Sequence, residues 1–219
     1  PATGETIIVT GIRGSLSASA EIKREAPIIL DSISSEDLGK FPDSNVAESL
    51  QRIPGVSIDR SGGEGRYVTV RGFGPQFNTV LLNGRSFASD NVGRAFSFDL
   101  LAAELISGAD VYKSATASVP DGGIGSTINV KTPRPLDLGE LQAIFSAKAV
   151  YEDLSEDVAP QPFAMVSDVF ADGRFGLLAA VSYQERESLT NFVDNGGYLP
   201  NSIVGPSDAP LFTDVYAPR

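Results

Sequence analysis

From residue 141 to 151 the odd positions read Leu, Ala, Phe, Ala, Ala, Tyr and the even positions Gln, Ile, Ser, Lys, Val. From 175 to 183 the odd positions read Phe, Leu, Ala, Val, Tyr and the even positions Gly, Leu, Ala, Ser. Each segment sets a purely apolar face, closed by a tyrosine, against a mixed one. A membrane β-barrel strand with one face in lipid and an interfacial aromatic has this pattern. A soluble antiparallel sheet with one face on a core has the same period, so period alone leaves both open. Residues 163–171 predict a strand between them, its alternation blurred by Asp168 and Phe170, with a two-residue turn at Asp172-Gly173. A connection of about nine residues (152–160), that tight turn, and a long polar tail from Ser188 complete the segment. Short turns at one end and long loops at the other fit a barrel.

The first part of the chain predicts α+β structure in short elements. Asp43 or Ser44 caps a helix carrying Val46, Leu50 and Ile53 at i, i+4 and i+7, and Pro54-Gly55 ends it and turns it into a strand. Residues 66–71 alternate as a strand. The Asn83-Gly84 pair after Val80-Leu81-Leu82 is a hairpin signal. A short helix is expected from Asp99, with Leu101 and Leu105 on one face and Gly108 as its stop. Strands are expected at 110–113 and 127–131. Residues 6–10 (Thr-Ile-Ile-Val-Thr) are β-branched throughout and form a strand-prone segment near a free end.

Composition narrows the function. The chain has 219 residues, 28 acidic and 17 basic, for a net charge of −11. That balance argues against a surface built for nucleic-acid phosphates. With no cysteine and no histidine, thiol nucleophiles, Ser-His-Asp triads, disulfides and the usual zinc and haem ligands are absent together. No cofactor or metal is expected. No apolar run reaches the length of a membrane helix, and residues 1–5 carry no signal-peptide pattern, so such a segment is absent or removed. Residues 1–133 hold 15 acidic and 12 basic groups, residues 134–219 hold 13 and 5. The composition shift at Thr132-Pro133-Arg134-Pro135 marks a linker.

Short chemical motifs carry little. Gly39-Lys40 lacks the rest of a phosphate loop, and Gly122-Gly123-Ile124-Gly125 precedes a strand, where no dinucleotide site forms. Glu36-Asp37 reads as a solvated helix start, and Asp121 as a turn residue. A carboxylate hydrolase needs two converging carboxyl groups, and no pair stands at an interpretable spacing.

One constellation is more specific. The run Asp43-Ser44-Asn45-Val46-Ala47-Glu48-Ser49-Leu50-Gln51-Arg52-Ile53-Pro54-Gly55-Val56-Ser57-Ile58 resembles the plug domain of TonB-dependent outer-membrane receptors. So do Val68-Thr69-Val70-Arg71-Gly72-Phe73-Gly74, Val80-Leu81-Leu82-Asn83-Gly84-Arg85, Asp110-Val111-Tyr112-Lys113 and Gly122-Gly123-Ile124-Gly125-Ser126-Thr127-Ile128-Asn129-Val130-Lys131. The resemblance covers residues 5 to about 135 and is nearest the branch common in Caulobacter- and Xanthomonas-type bacteria. It implies a TonB box at 1–11, a plug at 12–133 and the start of a β-barrel at 134–219, about three strands and an extracellular loop. The fold class expected is an α+β plug, a small mixed sheet with short helices, followed by antiparallel transmembrane strands of an incomplete barrel.

The function implied is energy-dependent uptake across a Gram-negative outer membrane, with the plug facing the periplasm. Glu5, Thr6, Ile7, Ile8, Val9 and Thr10, followed by Gly11, would bind the TonB C-terminal domain by β-augmentation. Pro75, Gln76, Phe77 and Asn78, with Ser89, Asp90 and Asn91, are candidate apical contacts to a glycan or a metal chelate such as siderophore-bound iron. Arg71 reads as a plug arginine paired with barrel carboxylates, because a buried charge needs a partner; the plain alternative is a surface arginine at a strand end. A barrel of about 22 strands needs roughly 400 residues, and only 86 follow position 133. The chain is therefore expected to be a fragment, a truncated gene product or the ordered part of something larger. The rival expectation is a soluble α+β interaction module whose β-rich tail is a second sheet.

Overall fold

A computed structural model describes residues 12–34, 45–61, 64–89, 93–120, 122–185, 189, 191, 198–204 and 210–218. The chain forms two compact units, residues 1–188 and 189–219.

The first unit opens with helix α1 (Ile12–Glu25) and strand β1 (Leu30–Ser34). Helix α2 (Val46–Leu50) follows, capped by Asn45, whose side chain accepts from the Ala47 amide at 2.7 Å. Val46, Leu50 and Ile53 are all buried, as their spacing requires. β2 (Val56–Ser61) and β3 (Glu64–Val70) form an antiparallel hairpin. β4 (Asn78–Leu82) turns through Asn83 and Gly84, with φ of 52° and 79°, into β5 (Arg85–Ser86). Two consecutive positive φ values are what an Asn-Gly hairpin turn supplies. β6 (Gly108–Tyr112) and β7 (Ser126–Lys131) complete a five-stranded sheet ordered β1-β6-β7-β4-β5. Only the β4–β7 pair is parallel. The core lies between this sheet, the hairpin and α2, with Leu50, Val70, Phe98, Val111, Ile128 and Val130 almost fully enclosed.

The helix expected from Asp99 is instead two 3₁₀ turns, Phe98–Leu100 and Ala103–Leu105, and Gly108 begins a strand rather than stopping a helix. The residues that anchor this stretch are Phe98, Ala103 and Ile106, which are buried, whereas Leu101 and Leu105 are only half-buried. The separation of Ala103 and Ile106 is the i, i+3 period of a 3₁₀ turn.

After the linker, the single-turn helix α3 (Pro135–Leu138) leads to β8 (Gln142–Glu152), β9 (Asp157–Phe170) and β10 (Phe175–Ser182). They form an antiparallel sheet with β9 in the middle. The nine-residue connection expected at 152–160 is a four-residue turn at 153–156, and the two-residue turn is the four-residue turn 171–174. Strand β9 begins early despite Pro160 and Pro162, which stand opposite Ala149 and Ala147 of β8. The Pro162 carbonyl accepts from the Tyr183 amide on the β10 side, so the missing N–H groups face the side where β10 has ended. A proline is tolerated there.

The register puts odd positions of β8 and β10 on one face with even positions of β9. That face carries Phe145, Tyr151, Val158, Val166, Phe170, Phe175, Leu177 and Val181, each more than half exposed. Asp168 is the charged residue of the row, two positions from the end of β9. The opposite face is closed over Ala159, Gln161, Phe163, Met165 and Ser167. This is an α+β plug followed by strands of an unclosed barrel.

The second unit is an antiparallel hairpin of β11 (Tyr198–Val204) and β12 (Pro210–Pro218), where the alternation had pointed only to a polar tail.

Candidate functional site

The candidate residues at 71–78 sit on one tightly built turn. Arg71 has φ of 55°, an uncommon conformation for a residue with a side chain. It is held there by its amide, which donates to the Gly55 carbonyl at 2.8 Å, and by its Nη2, which donates to the Gly125 carbonyl at 2.6 Å. The turn returns Phe73 to Val70 through two backbone hydrogen bonds, at 3.0 and 3.2 Å. A 3₁₀ turn, Pro75–Phe77, then leads into β4. Gln76 is exposed, and Phe77 meets Phe73 edge to face at 6.2 Å, each ring 41% exposed. Asn78 is buried, its Nδ2 donating to the Val68 carbonyl at 2.9 Å and its Oδ1 accepting from Ser126 Oγ at 2.9 Å. Its amide serves the fold, which leaves Gln76 and Phe77 as the exposed residues among the candidates 75–78.

The glycine-rich segment packs directly beneath this turn. A Cβ at Gly123 would stand 2.1 Å from the Ser126 carbonyl oxygen, and one at Gly125 2.5 Å from Asn78 Oδ1 and 2.9 Å from Phe73 Cβ. Close backbone approach is the reason for glycine here. An open groove of about 860 Å³ runs alongside, lined by Arg71 and by residues 112–117, 119, 120, 122–124, 126 and 127.

Ser89 is half-buried and donates to the Ala95 carbonyl at 2.9 Å. It shares a groove of about 220 Å³ with Asn78, Thr79, Phe87, Arg94 and Phe96. Asn78 and Ser89, eleven positions apart in the chain, therefore meet at one groove. Asp90 and Asn91 lie outside the described residues, as do Glu5, Thr6, Ile7, Ile8, Val9, Thr10 and Gly11. Two features of this groove carry no periodic signal in the sequence. Arg94 reaches across it to the Gly122 carbonyl at 3.0 Å. Phe87 is the exposed end of an edge-to-face ladder through Phe96 to the buried Phe98, with centroids 5.6 and 5.0 Å apart. Such a ladder fixes a half-exposed aromatic platform on the core.

Two ionic clusters brace the sheet. Asp31 accepts from Lys23 and from Lys113 at 2.5 and 2.6 Å, and Lys113 also donates to the Pro54 carbonyl at 2.6 Å. Burial pushes the Asp31 carboxyl up, but the hydrogen bonds and charges of the two ammonium groups outweigh it and hold the carboxyl below its ordinary value. Asp110 pairs with Lys131 and accepts from Ser32 Oγ at 2.8 Å. Burial, then the neighbouring Asp110, raises the Tyr112 phenol above its ordinary value. Among the described residues no three acidic, histidine or cysteine side chains gather as a metal site.

Residues 22–127 match the family described as "TonB-dependent Receptor Plug Domain". The "Iron-regulated outer membrane virulence protein" of Vibrio cholerae is 30% identical over 83 residues, covering 38% of this chain and 12% of that protein. The "Probable TonB-dependent siderophore receptor PirA" of Acinetobacter baumannii is 27% identical, covering 61% of this chain and 19% of that protein. Among solved structures, the ferric citrate transporter FecA in unliganded form aligns at TM-score 0.58 and 22% identity, over 76% of this chain and 27% of that one. The siderophore receptor PirA from Acinetobacter baumannii aligns at TM-score 0.56, again with 22% identity, over 76% and 26%. Over residues 22–127 this chain is thus similar to the plug domain of TonB-dependent receptors, and the proteins named here are receptors and transporters by their names. The chain spans a fifth or less of the length of these two curated relatives.

Proposed function

We propose that this chain is part of a TonB-dependent outer-membrane transporter: a TonB box at 1–11, a plug at 12–133 and the start of the barrel at 134–219. The plug faces the periplasm and gates energy-dependent uptake of a substrate held on its opposite end. The observation that carries this reading is the join between two surfaces. A plug sheet ends in β7 and passes through Pro133 and Pro135 into strands whose outer face is apolar from Ala143 to Tyr183 except for Asp168. An apolar sheet face of this kind needs hydrocarbon or another apolar partner.

Siderophore-bound iron is the favoured substrate class, supported by the names of the relatives. Carbohydrate remains the second reading, resting on the resemblance to the Caulobacter- and Xanthomonas-type branch. Gln76, Phe77 and Ser89 are the proposed apical contacts, together with Asp90 and Asn91. Arg71 is proposed to meet the barrel wall beside its bond to Gly125.

The test is uptake by cells lacking the native gene and expressing the receptor that carries this chain, offered ferric siderophores or labelled oligosaccharides. The Ile8→Pro receptor should keep surface binding and lose uptake, because proline removes an N–H and fixes φ in a segment that pairs through its backbone. Ile8→Val should behave as wild type. Uptake that persists undiminished in Ile8→Pro and Val9→Pro cells would overturn the coupling role of this segment. Recovery of the receptor in the soluble fraction without detergent would favour the interaction module.

A further inference from the structure

We propose that Glu104 and Lys148 form the releasable ionic seat that holds the plug against the first barrel strand; this rests on the transporter reading above. Glu104 belongs to the 3₁₀ turn Ala103–Leu105, a part of the plug whose backbone is fixed by the burial of Ala103 and Ile106. Its side chain is only 10% exposed, yet the partner it finds lies outside the plug: Lys148 Nζ of β8, at 2.5 Å. A carboxylate this enclosed needs a counter-charge, and losing one leaves an uncompensated buried ion. The rest position of the plug is therefore the one in which β8 supplies the ammonium group.

The geometry makes this a second attachment point, separate from the linker. The first is apolar and lies at the start of the sheet, where Pro135 packs so closely on Gly176 that a Cβ there would stand 2.7 Å from the proline ring. Lys148 is six residues into β8, about 20 Å further along the strand. It stands opposite Gln161 of β9, itself buried, on the face turned away from the apolar row. The linker is covalent and stays, whereas the ion pair must part, together with whatever packing closes the inner face over Phe163 and Met165, when the plug turns or leaves the wall. Lys148 keeps 39% of its side chain exposed, so a freed ammonium group is solvated, and the cost of parting falls on Glu104.

The first test uses the intact receptor in outer-membrane vesicles. A carbodiimide activates a carboxylate and joins it to an amine in contact with it, the carboxyl oxygen leaving as the urea. Tryptic peptides carrying Glu104 and Lys148 should be recovered joined from wild type and absent from Lys148→Arg, which keeps the charge but not the reactive amine. The second test reads the seat in cells. Glu104→Gln and Lys148→Met should each raise entry of a large hydrophilic antibiotic several-fold, in cells with or without TonB. The charge exchange Glu104→Lys with Lys148→Glu should bring entry back towards wild type. Recovery by exchange is the signature of a pairwise contact and is not expected from a general loss of packing. Absence of the joined peptide, or leakage that the exchange leaves as high as in the single variants, would overturn the seat. These outcomes are separable from failure of the transporter reading: a joined peptide in a receptor that shows no energised uptake keeps the seat and rejects the transporter.

Discussion

Asp31 and Lys113 are 82 positions apart in the chain and 2.6 Å apart in the fold. They join the edge strand β1 to the residue just after β6, and the same ammonium group reaches the Pro54 carbonyl at the end of the α2 segment. Removing the carboxylate would leave Lys113, 9% exposed at its side chain, without its counter-ion. Asp31→Asn should destabilise the plug by roughly 3 kcal/mol, the scale for breaking an enclosed pair, read as a lower melting temperature of the purified protein.

The same pair dictates a pH dependence. The folded Asp31 carboxyl titrates below its ordinary value of 3.8. Its contribution to stability is fully present above that ordinary value and is lost as pH falls through the lowered folded one. Wild type should therefore lose stability faster than Asp31→Asn as acid is added below the ordinary value. Two parallel acid limbs would show that other carboxylates carry the effect.

This pair also marks what was hidden in the sequence. Helix α2, the turn at Asn83 and Gly84 and strands β6 and β7 were legible, because each rests on local period or turn chemistry. β1 was not, since a short Leu-Asp-Ser-Ile-Ser segment is made a strand by its pairing with β6, nearly eighty positions on, and its aspartate finds its lysine only there. α1 was missed for a related reason. Its leucine, Leu16, stays 63% exposed, so no apolar stripe announces it. Around the candidate groove, the exposed turn position of Gln76 and Phe77 was legible from composition. Arg94 and the Phe87 platform were not, because only the folded loops bring them to Thr79 and Gly122.

Two glycine substitutions should act in opposite directions. Gly123→Ala places a methyl group where the Ser126 carbonyl stands and should cost more than about 2 kcal/mol. Gly14 lies in α1, and a Cβ there meets nothing within 4 Å. Gly14→Ala should stabilise by about 0.5–1 kcal/mol through helix propensity and a less free unfolded chain. Thermal melts of the two purified variants beside wild type check both signs.

The sharpest contrast lies between neighbouring residues of β10. Ala164 of β9 stands opposite both Phe145 of β8 and Val181 of β10, so these three form a row across the apolar face at the middle of β9. Ala180, one position earlier, stands opposite the buried Met165 and points to the other face. If the apolar face meets hydrocarbon, Val181→Lys buries a charge in lipid and should cost about 2–4 kcal/mol. Ala180→Lys leaves its charge on the inner, half-open side, where the long side chain can reach water. Assembly of the whole receptor in the outer membrane, read as the fraction whose electrophoretic mobility changes on heating, should fall for Val181→Lys and hold for Ala180→Lys. A soluble sheet tolerates both, because each position is exposed and a lysine at either one reaches water. Equal assembly of both variants, or better assembly of Val181→Lys, would take away the lipid assignment and with it the barrel.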